Sequence, residues 1–197
     1  MCSPPAGWRT DHQAVILTLV AALDADGAIG LASGGMPWHL PAETAHFRAL
    51  CTRQWLLVGR RTFEEMNGWF QPGHRVIVMT RGPAPATPAT PPPHPAIPVR
   101  TAASAEAALT LARAGGADAV LVIGGACVYA AMLPAATRLV LSRIHLHSGG
   151  DVFFPQIDPA DWILSHAAPR QRDPTTGMAF TIETWQRAAL EPPPPAR

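Results

Sequence analysis

A chain of 197 residues, 48% of them hydrophobic, is long enough for one globular unit with a substantial core. Its 15 basic and 14 acidic residues leave a formal net charge of +1, which offers no footprint of the concentrated basic face that nucleic-acid binding normally needs and argues against it as the main function. Cys2, Cys51 and Cys127 match no metal-ligand or redox spacing, so free thiols in the cytoplasm and no metal site are expected; no run reaches the roughly 20 apolar residues of a membrane span.

Residues 1–12, with Pro4, Pro5 and Gly7 and no periodicity, read as a flexible extension ahead of a single domain over 13–188. The apolar run Ala14–Leu23 has the length of a secretory core segment. Val15, Ile16, Leu17, Leu19 and Val20 equally make a buried strand ending in a turn at Asp24–Gly27, and later segments offer strands for it to join. We therefore read it as a strand. A glycine-rich stretch, Gly27–Gly35, leads into Met36-Pro37-Trp38. Pro41 opens a helix, where its missing N–H costs nothing. Down that helix Glu43, Phe47 and Leu50, at i, i+4 and i+7, share one face. Gln54–Val58 is a short strand closed by Gly59, Arg60-Arg61-Thr62 begins another helix, and Arg75–Thr80 is strand-like.

Residues 82–98 hold eight prolines in 17 positions, which predicts an extended surface loop acting as a spacer rather than a proline-motif ligand. Ser104 is a candidate N-cap for a helix over Ala105–Ala114 that stops at Gly115-Gly116. Then come a strand over Ala119–Ile123, Gly124-Gly125, and a helix from Ala126 to about Leu133, ended by Pro134. Arg138–His145 is the next strand. Trp162–Ala167 and Ala179–Gln186 make a late antiparallel pair around a turn-rich stretch at Asp173–Gly177, and 189–197 is a disordered tail. Strands alternating with helices imply a largely parallel sheet covered on both faces, with an antiparallel edge.

Two strand-to-helix junctions carry glycine: Gly59-Arg60-Arg61-Thr62 and Gly124-Gly125-Ala126. A helix N-terminus offers free N–H groups and partial positive charge to a phosphate, while glycine at a strand end is also ordinary turn chemistry. Two such junctions in one small α/β unit suggest a pyrophosphate held between them, although neither is the G-x-G-x-x-G fingerprint. Arg60, Arg61 and Arg81 suit a terminal phosphate monoester or form a solvated basic patch, and composition does not separate the two. Glu43 is either a helix-dipole partner facing water or, sharing a face with Phe47 and Leu50, a buried carboxylate with a raised pKa suited to handling protons. We expect it to be the one carboxylate of the pocket. His39 and His46 are its rivals, and both read as surface residues.

Met36-Pro37-Trp38-His39-Leu40-Pro41-Ala42-Glu43-Thr44-Ala45-His46-Phe47 resembles the active-site segment of the dihydrofolate reductase family. Val58-Gly59-Arg60-Arg61-Thr62-Phe63-Glu64 and Val122-Ile123-Gly124-Gly125 through Tyr129 resemble that family's two cofactor junctions. Gly150-Asp151-Val152-Phe153-Phe154-Pro155 resembles its late loop. The likeness is collinear from about Val15 to Arg187, the proline-rich loop aside.

The resemblance implies a three-layer α/β fold with an eight-stranded, mostly parallel mixed sheet, helices on both faces and an antiparallel C-terminal edge. It implies a monomeric enzyme that reduces 7,8-dihydrofolate, or a related pterin, with NADPH. Glu43 would bind the pterin and favour protonation of its ring nitrogen, Trp38 would hold a water beside it, and Ser142 would back the carboxylate. Val20, Ala22, Phe47, Met66 and Ile123 would wall the pterin and aryl ring, with Thr44 and Tyr129 beside them. Met36 belongs to the loop that closes over the nicotinamide, near which Ala22, Ile29, Gly30 and Tyr129 would lie. Thr62 with the Gly125 and Ala126 backbone would hold the pyrophosphate. Arg60, Arg61, Thr80 and Arg81 would surround the adenosine phosphate, and Gly59, Ile123, Gly124, Cys127 and Val128 would complete the cofactor wall. Gly124–Gly125 would be a cis peptide.

The chain also departs from the family pattern. His74, followed by Arg75, stands where the family usually has an arginine that clamps the substrate's α-carboxylate. Either His74 serves weakly, or the turn is re-registered to aim Arg75, or the tail carboxylate is not recognised, since a one-residue shift turns a strand side chain to the other face. Thr44 replaces a bulky apolar residue, and Cys127 replaces a common arginine. Two alternative readings are a reductase of another pterin or of a riboflavin-pathway pyrimidine, and a non-catalytic relative that binds NADPH or folate.

Overall fold

The computed structural model describes residues 15–66, 68–85 and 97–188. The expected extension over 1–12, the tail over 189–197 and residues 86–96 of the proline-rich loop lie outside the described residues. The first half of the chain forms β1 (Ile16–Leu23), β2 (Ala28–Gly30), α1 (Pro41–Cys51), β3 (Trp55–Gly59), α2 (Arg60–Glu65), β4 (Arg75–Met79) and β5 (Val99–Ala102). The second half forms α3 (Ala105–Ala114), β6 (Ala119–Val122), α4 (Ala126–Met132), β7 (Arg138–Ile144), β8 (Val152–Phe153), β9 (Trp162–Ala167), β10 (Gln171–Arg172) and β11 (Ala179–Arg187).

The main sheet runs β10-β11-β7-β1-β6-β3-β4-β5, and β9 also pairs with β11. β9 meets residues 183–187 of β11 while β10 meets residues 179–180, end to end on one edge, so nine strands fill eight lateral positions. Every pairing from β7 to β5 is parallel, and β11 runs antiparallel to its neighbours. Helices cover both faces of such a sheet, which is why β1, reading ILTLVAAL, is apolar almost throughout. β3 shows the two faces by alternation. Trp55 and Leu57 join Ala108 and Ala112 of α3 and Met132 of α4, whereas Leu56 and Val58 join Cys51 of α1 and Phe63 of α2.

The two longer helices start differently. In α3 the Ser104 hydroxyl accepts the Ala107 N–H at 3.2 Å, a local cap. In α1 the capping position is Leu40, which contributes no side-chain bond, and Pro41 has no N–H. The Ala42 N–H instead donates to Asp173 Oδ2 at 2.7 Å, from the turn before β11 and 131 residues along the chain.

Periodicity does not foresee four of the strands. β2, β8 and β10 are only two or three residues long, too short to show a period. β5 follows Pro98 directly, and Ile97, inside the expected surface loop, is 3% exposed and packs with the β3–β4 face, so that loop ends in the core.

Candidate active site

A cleft of about 860 Å³ opens at the carboxyl ends of the parallel strands, the crevice in which open α/β sheets bind ligands. Ala22 of β1, Gly59 of β3, Met79 of β4 and, just past β6, Ile123 and Gly124 all line it. Glu43 enters from the first turn of α1 and is 6% exposed. Ser142 Oγ donates to Glu43 Oε1 at 2.8 Å, and Ser142 pairs with Ala22 in the β1–β7 register, so the sheet itself fixes where this donor stands. Burial raises the Glu43 pKa above the usual carboxylate value; the Ser142 hydrogen bond pulls it down without cancelling that effect. A carboxyl group in this state retains its proton to higher pH than a solvated one and can accept two neighbouring N–H groups when ionised.

The two glycine junctions touch. Gly59 N–H donates to the Gly124 carbonyl at 2.7 Å, and the Gly124–Gly125 peptide is cis. A Cβ on Gly59 would fall 3.0 Å from Val128 Cγ2, and one on Gly125 would fall 2.9 Å from Thr62 Oγ1. Only glycine lets these backbones approach each other and Thr62 so closely. Arg60, Arg61, Thr80, Arg81, Ala126, Cys127 and Val128 line this end of the same cleft. Tyr129, also on its wall, donates its hydroxyl to the Val20 carbonyl at 2.7 Å, and burial drives the phenol pKa upward, so it stays protonated and fixed.

The glycine-rich loop brings Ile29, Gly30 and Met36 to the cleft. It is pinned at Ala32 from two sides. The Ala32 N–H donates to Asp151 Oδ1 at 2.6 Å, and the Arg61 guanidinium donates to the Ala32 carbonyl. Arg61 Nε also reaches Glu65 Oε1 at 3.0 Å. Asp151, Glu65 and Trp69 are site residues that sequence reasoning missed. Asp151 lies in the Gly150–Pro155 segment, but its partner is 119 residues away.

Val20, Thr44, Phe47 and Met66 line the cleft as expected of pocket residues. Several expectations are corrected. Glu43 is not the one carboxylate of the cleft, because Glu65 lines it too; Glu65, however, is paired with Arg61, whereas Glu43 makes no ion pair among the described residues. Ser142 and Trp38 stand behind the cleft wall, which is no departure from the roles expected of them beside Glu43. Ser142 touches it through Glu43, and Trp38 packs with Leu40, Ile144 and Phe180, its indole N–H buried without a protein acceptor. His74 is buried behind Trp69, its ring stacked on that indole at 5.4 Å and its Nδ1 accepting the Gln71 N–H at 3.1 Å. Arg75 is exposed and lies 5.5 Å over the Trp55 ring, on the opposite face of the strand from its neighbour His74. His46 is half-buried rather than on the surface. Its Nε2 is enclosed without a partner and burial lowers its pKa, while His39 is exposed as expected.

Comparison with known proteins agrees with this geometry. Residues 16–187 match the family model described as dihydrofolate reductase. The chain is 37% identical over 171 residues to the dihydrofolate reductase of Neisseria meningitidis serogroup A, covering 87% of this chain and 98% of that protein. It is 36% identical over 173 residues to the type 3 dihydrofolate reductase of Salmonella typhimurium, covering 88% and 99%. Among solved structures, the dihydrofolate reductase of Enterococcus faecalis complexed with NADP(H) and RAB-propyl superposes with a TM-score of 0.73 at 30% identity, covering 88% of this chain and 97% of that one.

Proposed function

This chain belongs to the dihydrofolate reductase family and is an NADPH-dependent enzyme, and we propose that it reduces 7,8-dihydrofolate to 5,6,7,8-tetrahydrofolate with Glu43 handling the proton. The observation that carries this reading is a buried, Ser142-backed carboxylate in the same cleft as two touching glycine junctions. The residues present fit the cofactor. The close approach at Gly59, Gly124 and Gly125 leaves backbone and Thr62 hydroxyl free to meet a pyrophosphate, and Arg60 and Arg81 supply charge for a further phosphate. NADPH, when bound, supplies the hydride; the chain's own residues do the rest.

Glu43 accepts the amino and ring N–H groups of the pterin edge and orients the ring. Its raised pKa lets it hold a proton to higher pH than a solvated carboxylate, and protonation of the ring nitrogen makes the neighbouring carbon a better hydride acceptor. Trp38, whose buried indole N–H has no protein acceptor, is assigned the holding of a water that serves Glu43. Val20, Ala22, Phe47 and Ile123 exclude solvent from the ring, and the pinned loop carrying Met36 covers the reacting face. His74 and Arg75, off the cleft wall, are given no contact with substrate.

The cleft is complete within one chain, so the proposed active unit is a monomeric single domain over 13–188. Among the described residues no helix is long and apolar enough to cross a membrane. Purified protein given NADPH and 7,8-dihydrofolate should oxidise the cofactor and form tetrahydrofolate. Tight NADPH binding without turnover would refute the proposal and favour a non-catalytic binder.

A further inference from the structure

We infer that this enzyme recognises its substrate through the pterin and aryl rings and does not grip the glutamate tail, so that it reduces aryl-bearing dihydropterins alike whether or not they carry an α-carboxylate. The inference rests on the dihydrofolate reductase reading and narrows its substrate class.

The cleft is asymmetric in charge. Its cationic residues are Arg60, Arg61 and Arg81, all at the glycine-junction end where α2 begins and β4 ends. The other end, reached past Glu43 and Thr44, is walled by Phe47, Met66 and Trp69. The Phe47 and Trp69 rings lie 5.2 Å apart and tilted by 30°, packed on each other, and present an apolar face to a flat aryl group. Anything attached beyond that aryl group leaves along this aromatic face.

No guanidinium waits there among the described residues. The chain contains no lysine, so its arginines are the only candidates, and none near this end lines the cleft. Arg75 lies over Trp55, together with Arg100 at 5.8 Å from the same ring. Arg53, in the turn after α1, runs its stem beneath Gly73, where a Cβ would fall 3.0 Å from Arg53 Cγ. Arg48 is exposed on α1 and does not line the cleft. The imidazole of His74 is 4% exposed, stacked on Trp69 and edge-on to Phe70 at 6.3 Å. Burial also lowers its pKa, so it is neutral at physiological pH and serves as a prop for Trp69 rather than as an anion receptor. The side chain that follows Gly73 is thus committed to packing.

A guanidinium clamp on a carboxylate contributes roughly tenfold to a hundredfold in affinity. Without one, the tail should contribute little to kcat/KM. The test uses the intact enzyme with NADPH and three substrates: 7,8-dihydrofolate, its α-carboxamide analogue, and 7,8-dihydropteroate. We expect kcat/KM values within about threefold of one another, and a KM for dihydrofolate that hardly changes with salt. A loss of about tenfold or more on amidating the α-carboxylate would overturn the inference while leaving the reductase reading intact. Failure to turn over any of the three would refute the reading itself. The double variant Arg48→Gln/Arg53→Gln should leave the ratio of the three values unchanged; a selective loss on dihydrofolate would mean that one of these exposed arginines reaches the tail, which also overturns the inference.

Discussion

Ser142 Oγ donates to Glu43 Oε1 at 2.8 Å, joining a central strand to the first turn of a helix 99 residues away in sequence. This hydrogen bond is what restrains the effect of burial on the Glu43 pKa. Ser142→Ala should therefore raise that pKa further, and the alkaline fall in hydride-transfer rate should move to higher pH. An unchanged pH profile would mean that the bond does not tune the reaction.

Ionising the buried Glu43 carboxyl should cost stability. Its folded-state pKa lies above the unfolded value, so its contribution to stability is fully present below the unfolded value and is lost as pH rises through the folded one. Glu43→Gln should then melt at a higher temperature than the parent at about pH 8, with the gap closing toward about pH 4. Thermal melts at the two pH values check this; a variant that melts lower at alkaline pH would contradict it.

Asp173 supplies the missing cap of α1. Its carboxylate takes the Ala42 N–H at 2.7 Å and also the Thr175 and Thr176 N–H groups at 2.9 Å, and these bonds hold its pKa below the usual carboxylate range. Because Ala42 precedes Glu43, Asp173→Ala should lower both Tm and kcat. Asp173→Asn, which keeps one oxygen acceptor, should lose less of each. Equal losses in the two variants would show that the charge, not the hydrogen bonds, is what matters.

The three arginines of the cleft are not equivalent. Arg61 is engaged with Ala32 and Glu65, whereas Arg60 sits 3.9 Å from Glu64 and Arg81 makes no ion pair among the described residues. Arg60→Ala and Arg81→Ala should each raise the KM for NADPH by roughly tenfold or more and leave that for NADH nearly unchanged. Arg61→Ala should instead lower kcat, by freeing the loop that carries Met36. Steady-state kinetics with both cofactors separates the two effects.

What the chain revealed by itself follows from how far each interaction reaches. Ser104 and α3 are legible because cap, periodicity and glycine stop lie within a dozen residues. Seven of the eight positions of the sheet and the residues of the two glycine junctions are likewise local patterns repeated in order. Asp173 was invisible as a cap, because it acts on Ala42 across 131 residues. β5 was obscured because Pro98 and its neighbours masked Ile97, whose burial depends on α1 and α2 packing over that face. His74 and Arg75 could be flagged from the motif, but only packing shows the first propping Trp69 and the second on the far face. Glu65 escaped notice because on a helix surface it reads as a plain i,i+4 partner of Arg61, and only the loop at Ala32 brings it to the cleft.

The most direct test of Glu43's role is single-turnover hydride transfer from NADPH to 7,8-dihydrofolate, measured across pH for the parent and for Glu43→Gln. The parent rate should fall as pH rises through the raised pKa of the Glu43 site. The variant should be slower by roughly a hundredfold or more at neutral pH, lose that pH dependence, and bind NADPH as the parent does. A Glu43→Gln enzyme with the parent's rate and profile would remove Glu43 from the proton chemistry.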